Sequence, residues 1–145
     1  MIPGKDYIGV GCGAVIVNSE GQVLLLKRKC PPEAGKWSVP GGKPGFGETL
    51  QNALIREVKE EIGTDIEIIT LLGVVDHILP DEKIHWVAPI FLARIEKGVP
   101  SNMEPDKHFD IGWFAFDALP HETTLAGTRA VQFYQEFRRT DKESV

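Results

Sequence analysis

The sequence is short of several things that would decide its class. Only two cysteines occur, Cys12 and Cys30. Neither belongs to a Cys-x-x-Cys pair or stands at ligand spacing from a histidine, which argues against zinc. Cys12 lies in an apolar run and reads as a small core residue. No apolar stretch comes near the ~20 residues that cross a bilayer, so a membrane is not an expected partner. Residues 1–7 contain no apolar signal core, and the expected compartment is cytoplasmic, where a disulfide is disfavoured. Internal repeats and low-complexity segments are lacking too. Positive charge is outnumbered, with 16 Lys and Arg against 21 Asp and Glu, a net charge of −5 and a pI near 5.4. A polyphosphate chain is repelled by such a surface, so a nucleic-acid polymer is not the expected partner. A small anion is compatible if metal ions neutralise it inside a site.

What is present is ordinary for a globular protein, 42% hydrophobic and 26% charged residues. The 145 residues predict one domain spanning 1–145, a size that buries roughly 68–70% of the unfolded surface.

Along the chain, Gly9 to Val17 alternates small and branched residues and places Val10, Cys12, Ala14 and Ile16 on one face. Asn18-Ser19-Glu20-Gly21 supplies turn chemistry and Val23 to Leu26 resumes the apolar run, a pattern that predicts a hairpin. Pro31, Pro32 and Gly35 mark a loop, then Trp37-Ser38-Val39 a short segment and Pro40-Gly41-Gly42 a break. From Thr49 to Ile62 the period is helical, with Gly63 at the place of a C-cap glycine. Ile66 to Ile78 and Ile84 to Ile95 read as strands, 98–110 as a loop, Ile111 to Phe116 as a short strand. Thr123 to Arg139 has the spacing of an amphipathic helix. Strands, helix, strands, helix predict an α/β fold, a mixed sheet with helices on its faces.

The first helix is chemically unusual. Leu54, Val58 and Ile62 form its apolar stripe, yet Glu57 and Glu61 fall inside or beside that stripe and Glu60 at its edge. Burying carboxylates is costly, and acids at i, i+3 and i+4 repel one another. Arg56 offers one compensating charge for three acids. Bound Mg²⁺ or Mn²⁺ would complete the balance, because hard cations take oxygen ligands. A solvated acidic face is the bland alternative. The loop before the helix, Pro40-Gly41-Gly42-Lys43-Pro44-Gly45-Phe46-Gly47-Glu48, adds glycines that let backbone approach an anion closely at a helix N-terminus.

Taken together, Gly42, Glu48, Arg56-Glu57-Val58, Glu60-Glu61, Ile62 and Gly63 at their spacing resemble the Nudix box. The last place departs from it, Thr64 standing where the family prefers an aliphatic residue. The resemblance implies a Nudix-type α/β/α sandwich with a mixed sheet and a loop-helix-loop catalytic motif. It implies Glu57, Glu60 and Glu61 as metal ligands, with Glu48 as a ligand or structural partner. Arg56 would orient a ligand glutamate. Gly42 would supply backbone contact at the site, and Glu60 or Glu61 would be the base, with Glu104 as an alternative from a later loop.

Mg²⁺ or Mn²⁺ is the implied cofactor and a small nucleotide the implied substrate. The expected reaction is hydrolysis of a nucleoside diphosphate linked to another moiety, foremost a (deoxy)nucleoside triphosphate to monophosphate and pyrophosphate. Segments around Trp37, His85-Trp86-Val87 and 104–107 resemble the MutT-like branch of the family. In that setting His85 or Trp86 would hold a base by stacking or hydrogen bonding, or would merely cover the sheet. Pro80, sixteen residues past Thr64, resembles a feature of ADP-ribose pyrophosphatases and makes a nucleotide sugar the second substrate. A nucleotide-binding module without turnover is the alternative of another class. Asn18 and the Arg28-to-Lys36 loop are further expected to face the pocket, and a homodimer is the assembly the resemblance allows.

Overall fold

A computed structural model describes residues 1–143. The central strands are β1 (Gly9–Val10), β2 (Cys12–Ile16), β5 (Gly41–Gly42), β6 (Asp65–Leu79) and β7 (Ile84–Lys97). β7 pairs antiparallel with β6 along its whole length and, on its other edge, parallel with β1 and β2. β5 closes the far side of β2 through Cys12–Gly42 and Gly13–Gly41. A second sheet joins β4 (Trp37–Ser38), β3 (Gln22–Arg28) and β8 (His108–Ala115). The two helices are α1 (Leu50–Ile62) and α2 (Leu125–Glu143).

Strand alternation sorts the core into two layers. Cys12, Ala14 and Ile16 of β2, with Leu24 and Leu26 of β3, meet Leu54, Val58 and Ile62 of α1. Val15, Val23 and Leu25 point the other way and pack with Val75, Ala130 and the α2 aromatics Phe133, Tyr134 and Phe137. Helices therefore cover opposite faces of the mixed sheet, as expected. The three α1 stripe residues are fully buried, each worth about 1.5–3 kcal/mol relative to exposure. Thr49 caps α1 by accepting the Asn52 N–H, and Gly63 ends it at φ 76°, a left-handed position that glycine occupies without a Cβ clash.

Two sequence expectations need correction. The turn after β2 forms as expected, with Asn18 Oδ1 accepting the Glu20 and Gln22 N–H groups. β2 and β3 share only the Val17–Val23 bridge, however, and then diverge into different sheets. Both strands are buried on both faces, which rewards packing inside a sandwich over pairing as a half-exposed hairpin. Pro40-Gly41-Gly42 is not a break either. Gly41 and Gly42 pair with β2, and Pro40 O accepts the Ala14 N–H at 2.9 Å. Pairing this close requires glycine, since a Cβ on Gly41 would lie 2.0 Å from Cys12 O. No helix among the described residues is long and apolar enough to cross a membrane.

Candidate active site

The loop-helix-loop from Gly42 to Thr64 lays α1 beside the end of β5, and that contact builds the site. Glu61, in the last turn of α1, is drawn into the protein and only 7% exposed. Its Oε1 accepts the Gly41 N–H at 2.8 Å, and its Oε2 lies 3.5 Å from His108 Nε2. Burial drives its carboxyl well above the ordinary value, the Gly41 N–H pulls back, and the nearby Glu57 and Glu104 charges push it up further. Burial also lowers the His108 imidazole.

Glu57 is pressed against the other glycine of the pair. A Cβ on Gly42 would lie 2.2 Å from Glu57 Cδ, so the bare backbone is what admits the carboxylate. Arg56 binds Glu48 in a bidentate pair, Nε to Oε2 at 2.8 Å and Nη2 to Oε1 at 2.9 Å. Its Nη1 donates to Glu57 at 3.0 Å and reaches Glu60 at 3.3 Å. One guanidinium thus gathers three carboxylates. The Arg56 hydrogen bond, helped by the Gly45 N–H, holds the Glu48 carboxyl down at about 2.

Glu61, Glu104 and His108 each offer a ligand atom within 4.8 Å of the others. Glu104 sits in the loop before β8, where its carboxylate pairs with Lys107 at 3.3 Å. A buried carboxylate without a full counter-charge and a second carboxylate near it offer oxygen ligands to a divalent cation, and His108 adds one imidazole nitrogen. Of the predicted ligands this cluster contains Glu61, joined by Glu104 and His108, and its donors could hold a divalent metal.

Beside these groups opens a cleft of about 390 Å³, lined by Gly41, Gly42, Lys43, Glu61 and His108 and floored by Leu26, Val39 and Ile90. Trp86 lines it as well, its indole lying flat on two glycines. A Cβ would come within 2.1 Å of the ring on Gly4 and 2.5 Å on Gly9. Lys43 Nζ stands 5.7 Å from the indole centroid.

The cleft gathers some predicted residues and leaves others outside. Gly42, Glu61 and Trp86 line it. Strand alternation turns His85 to the opposite face of β7 from Trp86, and it is not among the lining residues. Glu60 is half exposed on the solvent side of Arg56. Glu48 lines a separate shallow depression with Phe46 and Asn52. Pro80 opens an exposed 3₁₀ turn between β6 and β7, outside the cleft. Asn18 serves its own turn, whereas Arg28, Pro31, Pro32 and Glu33 of the expected loop do face the cleft. His77, His108, Ser38 and Thr124 are lining residues that no sequence signal pointed to.

The profile of the family described as NUDIX domain matches residues 8–137. The chain belongs to this family. Among NUDIX relatives, the 8-oxo-dGDP phosphatase NUDT18 of Mus musculus is 36% identical over 112 residues, 74% of this chain and 32% of that protein. An ADP-ribose pyrophosphatase of Methanocaldococcus jannaschii is 35% identical over 113 residues, 76% of this chain and 67% of that one. The chain thus spans about a third of the mouse protein's length and two thirds of the archaeal one's. The crystal structure of a MutT NUDIX hydrolase from Burkholderia pseudomallei superposes with a TM-score of 0.84 at 48% identity, over 88% of this chain and 98% of that one.

Proposed function

We propose that the chain hydrolyses a phosphoanhydride bond in a nucleoside diphosphate linked to another moiety, using Mg²⁺ or Mn²⁺. The foremost substrate is a (deoxy)nucleoside triphosphate, cleaved to a monophosphate and pyrophosphate. The observation that carries this reading is Glu61, a buried carboxylate set between Glu57 and Glu104 at the edge of a nucleotide-sized cleft. Membership in the NUDIX family supports it, as does likeness to relatives named for 8-oxo-dGDP and ADP-ribose.

Glu57, Glu61 and Glu104 would hold the cations, with Glu60 as a further ligand on the solvent side. When bound there, divalent ions supply neutralisation of the phosphate oxygens and activation of a water. Arg56 keeps Glu57 and Glu60 on one side of α1, and Lys43 adds a positive charge to the lining of the cleft. Whichever of Glu60, Glu61 and Glu104 is left free of metal would take the proton from the attacking water. His108 packs against Glu61 and limits its rotation.

ADP-ribose is the second substrate reading, favoured by the archaeal relative's name and no longer by Pro80. The test is incubation with Mg²⁺ and a panel of nucleoside triphosphates, oxidised dGTP, ADP-ribose and dinucleoside polyphosphates, with products separated by chromatography. Monophosphate plus pyrophosphate is the expected result. AMP plus ribose phosphate would move the reading to ADP-ribose. No product from any compound, with either metal, would overturn the hydrolase reading in favour of a binding module.

A further inference from the structure

A second polar group lines the same cleft on different elements. Glu33 lies in the loop between β3 and β4, with its backbone at φ 57°, a left-handed conformation uncommon for a residue with a side chain and a source of strain. Its side chain is only 8% exposed, and its Oε1 lies 2.9 Å from His77 Nε2. The contact is close but no aligned hydrogen bond reaches that nitrogen. The other oxygen, Oε2, accepts the Leu125 N–H at 2.9 Å.

Two side chains share the capping of α2. Thr124 accepts the Gly127 N–H at 2.9 Å. Thr124 and Glu33 thus serve different N–H groups of the first turn of α2, and the contacts to Leu125 and His77 hold the carboxylate in place despite its burial and its left-handed backbone. The loop is also tied down from below, Arg28 Nε donating to Pro32 O at 2.8 Å and the Gly35 N–H to Arg28 O at 2.7 Å. Glu33 is therefore fixed before any ligand arrives.

Burial pushes the Glu33 carboxyl up, but the contacts from His77 and Leu125 outweigh it and hold the group below its ordinary value. At neutral pH it is an acceptor only; Oε2 has one lone-pair position engaged by the Leu125 N–H, and Oε1 faces His77 without an aligned hydrogen bond. A planar pair of acceptors in a cleft matches two adjacent N–H donors. Among the common nucleobases, guanine alone offers that edge, an N1–H beside a 2-amino group. Adenine and cytosine place a ring acceptor beside their amine, which would face the carboxylate lone pair to lone pair. Pro32, Val39 and Ile90 supply apolar surface for a ring nearby.

We propose that Glu33, positioned by His77 and the Leu125 N–H, reads the base in this cleft and selects guanine through its N1–H and 2-amino group. The proposal rests on the reading of the cleft as a nucleotide site and names its substrate class.

The test has a binding arm and a turnover arm. Calorimetry on the full chain compares GMP, IMP and AMP, and steady-state kinetics compares GTP with ATP in Mg²⁺. Wild type should bind GMP over IMP over AMP, with guanine over adenine by on the order of tenfold. Glu33→Gln keeps an acceptor for Leu125 but exchanges the other oxygen for a donor, the pattern adenine fits. It should reduce the guanine-to-adenine ratio by on the order of tenfold, in KM more than in kcat. His77→Asn should reduce the ratio less. Equal binding of GMP and AMP by wild type, or an unchanged ratio in a folded Glu33→Gln, would overturn the proposal. The wild-type series of three monophosphates decides even if that variant does not fold. Hydrolysis without base preference sinks the guanine site and leaves the hydrolase reading standing. Guanine-selective binding without hydrolysis of any nucleotide does the reverse.

Discussion

Glu61 accepts a hydrogen bond from the Gly41 N–H at 2.8 Å, tying the last turn of α1 to the short strand β5. The bond locates the carboxylate, but it does not offset the cost of burying its charge, since Glu57 and Glu104 repel it. Replacement of Glu61 by Gln keeps an acceptor for Gly41 and removes the charge. Turnover should fall by about 10²–10⁴-fold, the range for a lost proton-transfer group. The melting temperature without metal should hold or rise. A melting temperature that drops in step with activity would mean that Glu61 serves the fold.

Arg56 touches Glu48, Glu57 and Glu60 at once, a geometry that the planar guanidinium allows and an ammonium does not. Arg56→Lys should lower activity by about 10–100-fold, as loss of a ligand-orienting partner does. The side chains are partly exposed, so the melting temperature should change little. Titration of activity with Mg²⁺ separates the causes. A higher half-saturating Mg²⁺ concentration is expected, whereas an unchanged one would place Arg56 outside the control of the ligands.

The neighbouring glycines Gly41 and Gly42 should fail differently. A Cβ on Gly42 meets the flexible end of Glu57, whereas one on Gly41 meets the backbone of Cys12. Gly42→Ala should therefore displace a carboxylate and cost activity with little loss of stability. Gly41→Ala forces strands apart and should cost about 1–3 kcal/mol or more. Denaturant melts and kcat on the two variants check this, and a reversed order would contradict the packing.

The helix and its acids were readable because α1 obeys a strict local rule. Period, cap and C-cap glycine sit within one short segment, and carboxylates facing an apolar stripe conflict with ordinary burial preference. Glu61 was visible as that conflict. Glu33 and His77 were not, because their meeting depends on how β6 crosses the loop after β3, a contact spanning more than forty positions with no periodic trace. His108 was hidden for a similar reason. It begins β8 two residues before the predicted loop ends, and only the fold of residues 102–108 onto α1 gives it Glu61 as a neighbour. The hairpin expectation failed because alternation reports which face is buried, not which strand pairs with which. His85 and Trp86 show the remaining limit, since adjacent strand residues face opposite sides and the sequence did not say which side held the cleft.

Glu33 also makes a prediction about acid stability that is independent of any ligand. Its carboxyl is lower in the folded protein than its ordinary value of 4.5. Between the folded and unfolded values the unfolded chain binds more protons, so stability rises with pH there. The contribution is full above 4.5 and is lost as pH falls through the folded value. Glu33→Ala removes the carboxylate from the Leu125 N–H and from His77, and should cost about 1–3 kcal/mol at neutral pH. That difference from wild type should shrink once the pH drops below the ordinary carboxylate range of about 4. Melting curves of both proteins across that range measure it. A gap that stays constant into acid would show that Glu33 contributes through packing alone, without its charge.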